Sequence, residues 1–421
     1  MVRIGLFCFL FHSAVAQNDI MLLYRDAMAL MVKKNFEHAE QKLRILDSLM
    51  PDDTEIYFLR AQVLAQMGDH TKAMGLLKAS LIMGSDMLFA IGKDSAFVGL
   101  WADSEFQNLL KEIEQLKRPV HHSRDAYLLT ERDLIPEGTA YDGHTGQLFI
   151  SSTYKRKIKR IYPDGRSDDF TKEGQDGLLG VVGMEVDSVR RILWVNSCNN
   201  PNMPIRDSHA DARVPARVHK FDLTTGRLLQ RYDAPAGSHF FNDLTVTAKG
   251  DVFITDTESG EIWQIAAERH TLEIFLKLQN VLFLNGITKS PDDQWLYVAH
   301  VAGILVIDIA TRRYEPLKHP PLFPLGSIDG LAFYKQSLIA HQSGVVGRIK
   351  RIYLDNDLRT ATHAAVLEAH NPHFDQPTTG EIGGSFYYYI ANAQLRSGFR
   401  NKKIKPYHEL RDVVILKIPL E

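Results

Sequence analysis

Phe241-Asn242-Asp243-Leu244-Thr245-Val246-Thr247, followed by Gly250-Asp251-Val252-Phe253-Ile254-Thr255-Asp256-Thr257, reads as two short strands around a tight turn. Leu244, Val246, Val252 and Ile254 alternate with smaller or polar residues, and Lys249-Gly250-Asp251 supplies the turn. The hairpin opens on an Asn-Asp pair and closes on an Asp. A single pair of this kind is a turn cap. The same pair recurring at one register would be a binding site.

Outward from this hairpin the pattern repeats. First strands open at Glu137 (EGTAYD), Val182 (VGMEVD), Asn242 (NDLTVT), Asn285 (NGITKS), Asp329 (DGLAFY) and Thr379 (TGEIGG). Each is followed by a second apolar run: LFISS, LWVNS, VFITD, LYVAH, LIAH and YYIAN. Most continue into a third, such as KIKRIYP, EIWQIAA or ILVIDIA. Six units of about 43 to 60 residues with about four strands each predict a six-bladed β-propeller over residues 124–421, in a chain that is mainly β. A β-sandwich would not explain six aligned units. The last unit ends at VVILKIPL after three strands, and residues 126–130, AYLLT, are expected to supply the missing outer strand and close the ring.

Upstream, residues 17–118 read as helical, with apolar positions at three- and four-residue spacing. Ala27, Leu30, Ala39 and Leu43 recur 34 residues later as Ala61, Leu64, Ala73 and Leu77, and Asn35 corresponds to Asp69. A 34-residue period with small residues where helices cross predicts an all-α domain of tetratricopeptide-like repeats. Asp94 and Asp103 are expected N-caps of the segments that follow. Such helices either recruit a protein partner or dock as a knob on the next domain.

Of the 421 residues, 45% are hydrophobic and 24% charged, and the net charge is −2. That balance gives no reason to expect nucleic acid or acidic lipid as a partner. Arg3, the apolar run Ile4–Phe11 and Ala14-Val15-Ala16 predict a signal peptide over residues 1–16, and hence a secreted or periplasmic protein. The run is too short to span a bilayer. Cleavage before Gln17 leaves Cys198 as the lone thiol, expected in the core, and allows no internal disulfide.

In a propeller the start of each first strand and the end of each second strand lie on one face, with first strands nearest the axis. Glu137, Asn242, Asn285 and Asp329 therefore converge from four blades. Two carboxylates and two amides suit Ca²⁺, or another hard divalent cation, better than Zn²⁺, because no His or Cys occupies these positions. Second-strand ends add a polar ring of Ser152, Ser197, Asp256, His300, His341 and Asn392. His300 and His341 are candidate proton carriers near neutral pH, the bland reading being that strand-end histidines bind loop backbone. Two long segments, 198–216 and 393–412, reach the same face as candidate lids. Their basic residues Arg206, Arg213, Arg396, Arg400, Lys402 and Lys403 would favour an anionic or hydroxyl-rich substrate.

With Pro136-Glu137-Gly138, Asn242, Asn285-Gly286 and Asp329-Gly330 in this order, residues 124–421 resemble the senescence marker protein, gluconolactonase and luciferin-regenerating enzyme group. The paraoxonases and diisopropylfluorophosphatase are similar more distantly. The resemblance implies a divalent metal, Ca²⁺ here, on Glu137, Asn242, Asn285 and Asp329. It also implies hydrolysis of a small lactone or related ester, with Asp329 as base or nucleophile. Gly138 stands where some relatives carry a second acid for an additional calcium, although Asp243 is retained. The alternative is a non-catalytic, calcium-bearing binding or scaffold propeller. No G-x-S-x-G, P-loop or dinucleotide motif is present.

Overall fold

A computed structural model describes residues 15–421 except 200–201, 205–214, 280 and 344–346, and for residues 15–19 the backbone alone. The signal peptide expected over residues 1–16, and Arg206 and Arg213 of the first long segment, lie wholly or almost wholly outside the described residues. Residues 15–116 are helical, and the rest forms a six-bladed β-propeller.

Helices α1 (Val15–Val32), α2 (Phe36–Leu49), α3 (Thr54–Gln66) and α4 (His70–Ile82) pack as two successive pairs, followed by two 3₁₀ segments and α5 (Ser104–Leu116). Ala27, Ala39, Ala61 and Ala73 are fully buried, as expected of small residues at helix crossings. Starts are set by side chains that accept otherwise orphaned N–H groups. Asp53 accepts from Glu55 and Ile56, and Asp103 from Glu105 and Phe106. Asp94 accepts from Ala96 at the second 3₁₀ segment, so both expected caps are in place.

Each blade is an antiparallel sheet of four main strands. In the third, Phe241–Val246, Val252–Asp256, Glu261–Ile265 and Leu272–Lys277 succeed one another outward from the axis. Side chains of both faces of every blade are buried against the neighbouring blades, so six apolar layers fill the spaces between blades. Phe149, Val195 and Phe221 fill the one between the first two blades, and Tyr297, Leu331 and Leu338 that between the fourth and fifth. Cys198 lies fully buried in such a layer. The sixth blade is closed as expected. Arg124–Leu129 pairs with Val413–Pro419 from the other end of the propeller, Leu128 opposite Val414.

Steric fit at the axis explains the glycines that follow the strand-opening residues. A methyl group on Gly138 would stand 1.9 Å from the carbonyl oxygen of Val182. On Gly183 it would stand 2.5 Å from that of Asn242, and on Gly286 2.4 Å from that of Asp329. Each inner strand thus lies against the next, and at these three positions only a residue without a side chain fits. In this layer blade three carries Asp243 instead. Blade six carries Thr379, because the pairing of Gly380 with Tyr389 makes Thr378, not Thr379, the register equivalent of Glu137. The sixth unit therefore opens one residue earlier than its sequence suggests.

The helical part is not a free arm. Leu282 is buried in the apolar cluster of α1, α2 and α3, with Phe283, Val301 and Ala302 packed at its edge. Asp52 accepts from the Phe323 N–H at 3.3 Å, and Leu116 O meets His370 Nε2 at 3.0 Å. The linker strand Val120–His121 adds a fifth strand to blade five. There the fully buried Glu368 gathers His121 Nδ1 and Ser123 Oγ with the backbone N–H groups of His122 and Ser123.

Candidate functional site

The four candidate oxygen donors sit where inner strands are irregular. Asn242 and Asp329 fall within β-bulges, between Phe241 and Leu244 and between Ile328 and Leu331. Glu137 and Asn285 immediately precede Gly138 and Gly286, outside the regular ladder. Bulged or unpaired backbone lets a side chain point along the axis instead of into a blade interface. A left-handed residue stands two positions before each opening residue of four blades: Ile135, Phe283, Ser327 and Gln376. It turns the chain over the rim and down to the axis.

The amides are oriented by their nitrogens. Asn242 Nδ2 donates to Thr257 Oγ1 at 3.0 Å, and the Asn285 side chain donates to the Asp329 carboxylate. Both thereby leave their oxygens for another partner. Asn285 Oδ1 and Glu137 Oε2 are buried and have no hydrogen-bond partner among the described residues.

Burial raises all three acids here. Glu137 is pushed up to about 8, by burial first and then by the charges of Asp329 and Asp243. Asp243 is pushed to about 7 by burial, against the Leu244 and Ile287 N–H groups that its carboxylate accepts. Asp329 rises only to about 6, because the Asn285 hydrogen bond and the Arg396 charge counter its burial. Among the described residues no three His, Cys, Asp or Glu side chains form a metal-holding group on their own, so a cation at the axis must draw on the two amides. Two carboxylates and two oxygen-presenting amides, with Glu137 Oε2 and Asn285 Oδ1 unpartnered among the described residues, fit a hard cation such as Ca²⁺.

The second ring is spent mostly on loops. Ser152 Oγ donates to Leu134 O, and Asp256 accepts from His239 Nδ1 and Phe240 N. Asn392 bridges Asp412 O and Val414 N. His341 is buried between Tyr387 and Tyr389 with neither ring nitrogen partnered among the described residues, and burial lowers it to about 3. His300 is lowered by burial to about 4. Both are neutral at pH 7, which departs from the proton-carrier expectation and leaves the carboxyls as the groups that titrate near neutrality. Of the two long segments, 393–412 carries Arg396, whose charge reaches Asp329.

Solved structures similar to this chain are β-propellers. A gluconolactonase from Xanthomonas campestris is 14% identical, with 73% of this chain and 92% of that one covered and a TM-score of 0.48. A luciferin-regenerating enzyme is 14% identical, with 72% and 95% covered and a TM-score of 0.48. A PQQ-bound aldose sugar dehydrogenase from Streptomyces coelicolor is 13% identical, with 70% and 98% covered and a TM-score of 0.47. No family model and no curated protein matches the chain.

Beneath the four donors lies a central cavity of about 270 Å³, lined by Thr139, Glu185, Asp243, Lys289 and Glu381 among others. None of the four donors lines it. Glu185 and Glu381 were not singled out in the sequence, because they lie inside strands. Burial raises both, Glu381 to about 7 and Glu185 well above its ordinary value. Asp243 joins the two levels. Its signal was the missing glycine at that register, against Gly138, Gly183, Gly286 and Gly330.

Proposed function

We propose that the chain hydrolyses a lactone or related ester with one Ca²⁺ at the propeller axis, held by Glu137, Asn242, Asn285 and Asp329. The observation that carries this reading is the pair of buried, unpartnered oxygens, Glu137 Oε2 and Asn285 Oδ1, beside the raised carboxyls. A buried polar atom left without a partner is costly, and a hard cation would satisfy both of these oxygens at once. The ester class rests on the resemblance carried by Glu137, Asn242, Asn285 and Asp329. When bound, the ion supplies positive charge that polarises the substrate carbonyl and steadies negative charge developing on its oxygen.

Asp329 is the base. Its ionised carboxylate is the group that takes a proton from water. The water oxygen bonds to the carbonyl carbon, the ester C–O bond breaks, and the proton passes to the departing alkoxide. Asn285 holds the Asp329 carboxylate in place through its donated hydrogen bond. Arg396 favours an anionic or hydroxyl-rich substrate. Glu137, the last of the three acids to ionise without a cation, anchors the ion.

Metal analysis of the purified protein, with a screen of sugar lactones, acyl-homoserine lactones and aryl esters in Ca²⁺ and in chelator, tests the reading. Asp329→Asn is expected to keep some metal binding and lose turnover by about 10²-fold or more. If the calcium-loaded wild type turns over none of these, the hydrolase reading fails. The calcium-bearing binding propeller then takes its place.

A further inference from the structure

Two of the four axial donors are reached by loops that the helices grip. Leu282, which leads into Asn285, inserts into the apolar cluster formed by α1, α2 and α3, and Phe283 packs against its edge. The loop leading to Asp329 is held at its Phe323 N–H by Asp52, in the corner between α2 and α3. His319 of the same loop stacks on Phe323 and lies 3.9 Å from the Asp52 carboxylate. Further along, Gly326 packs beside Asp53, 3.7 Å from its Oδ2 to the position a methyl group would take.

The two loops are also tied to each other. Val301 N donates to Leu282 O at 3.1 Å, and Ser327 N donates to Val301 O at 3.3 Å. Below them Gly286 N donates to Asp329 O at 2.8 Å. Thr257 Oγ1 donates to Leu284 O and accepts from Asn242 Nδ2, which carries the linkage to a third donor. The loop leading to Glu137 hydrogen-bonds its own blade, Thr153 N to Ile135 O, and contributes nothing to the helical cluster. One half of the site is thus built on the propeller and the other half hangs from the helices.

We propose that the helical region is a positioning element for the axial site, setting the placement of Asn285 and Asp329 through Leu282 and through the Asp52–Phe323 hydrogen bond. The proposal rests on the reading of the axis as a cation site. Coupling of this kind is reciprocal: occupation of the axis must tighten the helical docking by as much as docking tightens the axis. A macromolecule that shifted the α2–α3 corner would then change affinity at the axis without touching it.

The test uses the full chain and Tb³⁺ as a luminescent stand-in, displaced by Ca²⁺. Asp52→Ala is expected to weaken Ca²⁺ about three- to tenfold, the range of one lost hydrogen bond. It should also raise the number of waters on bound Tb³⁺, read from H₂O and D₂O lifetimes, which a purely structural change would leave alone. Asp52→Asn keeps an oxygen for the Phe323 N–H and should restore both values. Leu282→Ala is expected to act in the same direction as Asp52→Ala. Ca²⁺ affinities of Asp52→Ala and Leu282→Ala within twofold of a wild type that binds would overturn the proposal and leave the site reading intact. A wild type that binds neither ion overturns the site reading. In that case hydrogen exchange of residues 281–287 and 319–329 still decides whether Asp52 holds the loops: unchanged exchange in Asp52→Ala sinks the positioning role as well.

Discussion

At the scale of single residues, the three raised carboxyls make a prediction whose sign can be worked out. Asp329, Asp243 and Glu137 have ordinary values of 3.8, 3.8 and 4.5 and stand at about 6, 7 and 8 in the fold. A carboxyl raised by folding favours the native state below its unfolded value, and that advantage is lost as pH rises through its folded value. With chelator present, the melting temperature should therefore fall between about pH 4 and pH 8. A divalent cation stabilises the ionised forms, so the rise in melting temperature on adding Ca²⁺ should be larger at pH 8 than at pH 5. Equal rises at both would mean that these acids do not hold the ion. A second prediction concerns close approach. Gly138→Ala drives a methyl group into the Val182 carbonyl and should cost about 1–3 kcal/mol in urea unfolding. Gly143→Ala, with nothing within 4 Å, should be nearly neutral. The four candidate donors stand out in the sequence because they recur at one register. The burial of the histidines does not, since a single step in strand parity decides whether His341 faces the axis or lies between Tyr387 and Tyr389.

Among elements, the blades could be counted from repeating apolar runs, but not their local registers. Bulges at Val181–Met184, Phe241–Leu244 and Ile328–Leu331 shift the alternation by a residue, and alternation is all that a sequence displays. The sixth blade opens at Thr378 without a bulge in its inner strand pair, an offset that alternation does not display either. The linker strand was likewise invisible: Val120–His121 is too short to carry a period, and it is placed by Glu368 from 247 residues further on. Burial pushes this carboxyl up, but hydrogen bonds from Asn371, His121, Ser123 and the His122 backbone hold it below the ordinary range. Glu368→Ala leaves those donors without their acceptor in a buried place. A loss of about 1–3 kcal/mol is expected, seen as a lower urea midpoint at unchanged slope. An unaltered midpoint would show that the linker strand needs no such anchor.

For the molecule as a whole, the sequence separates a helical part from a propeller and leaves open whether the helices recruit a partner or dock as a knob. The cluster around Leu282 contains side chains from both parts, so the two are in contact. Removal of residues up to 120 would uncover Leu282, Phe283, Val301 and Ala302 together. The truncated protein should melt lower than the full chain and aggregate on heating, whereas the full chain should show one calorimetric transition; two well-separated transitions would mean that the parts are independent. The pairing of Arg124–Leu129 with Val413–Pro419 has a further consequence, in time rather than space. The strands of this sheet are made about 290 residues apart, which at ribosomal speeds of about 5–20 residues per second is a wait of roughly 15 to 60 seconds. During that wait Arg124–Leu129 has no partner and the first and fifth blades each lack a neighbour. A nascent chain stalled before Val413 would hold an open ring with two exposed apolar blade faces, so the ring closes only after Val413–Pro419 has been made.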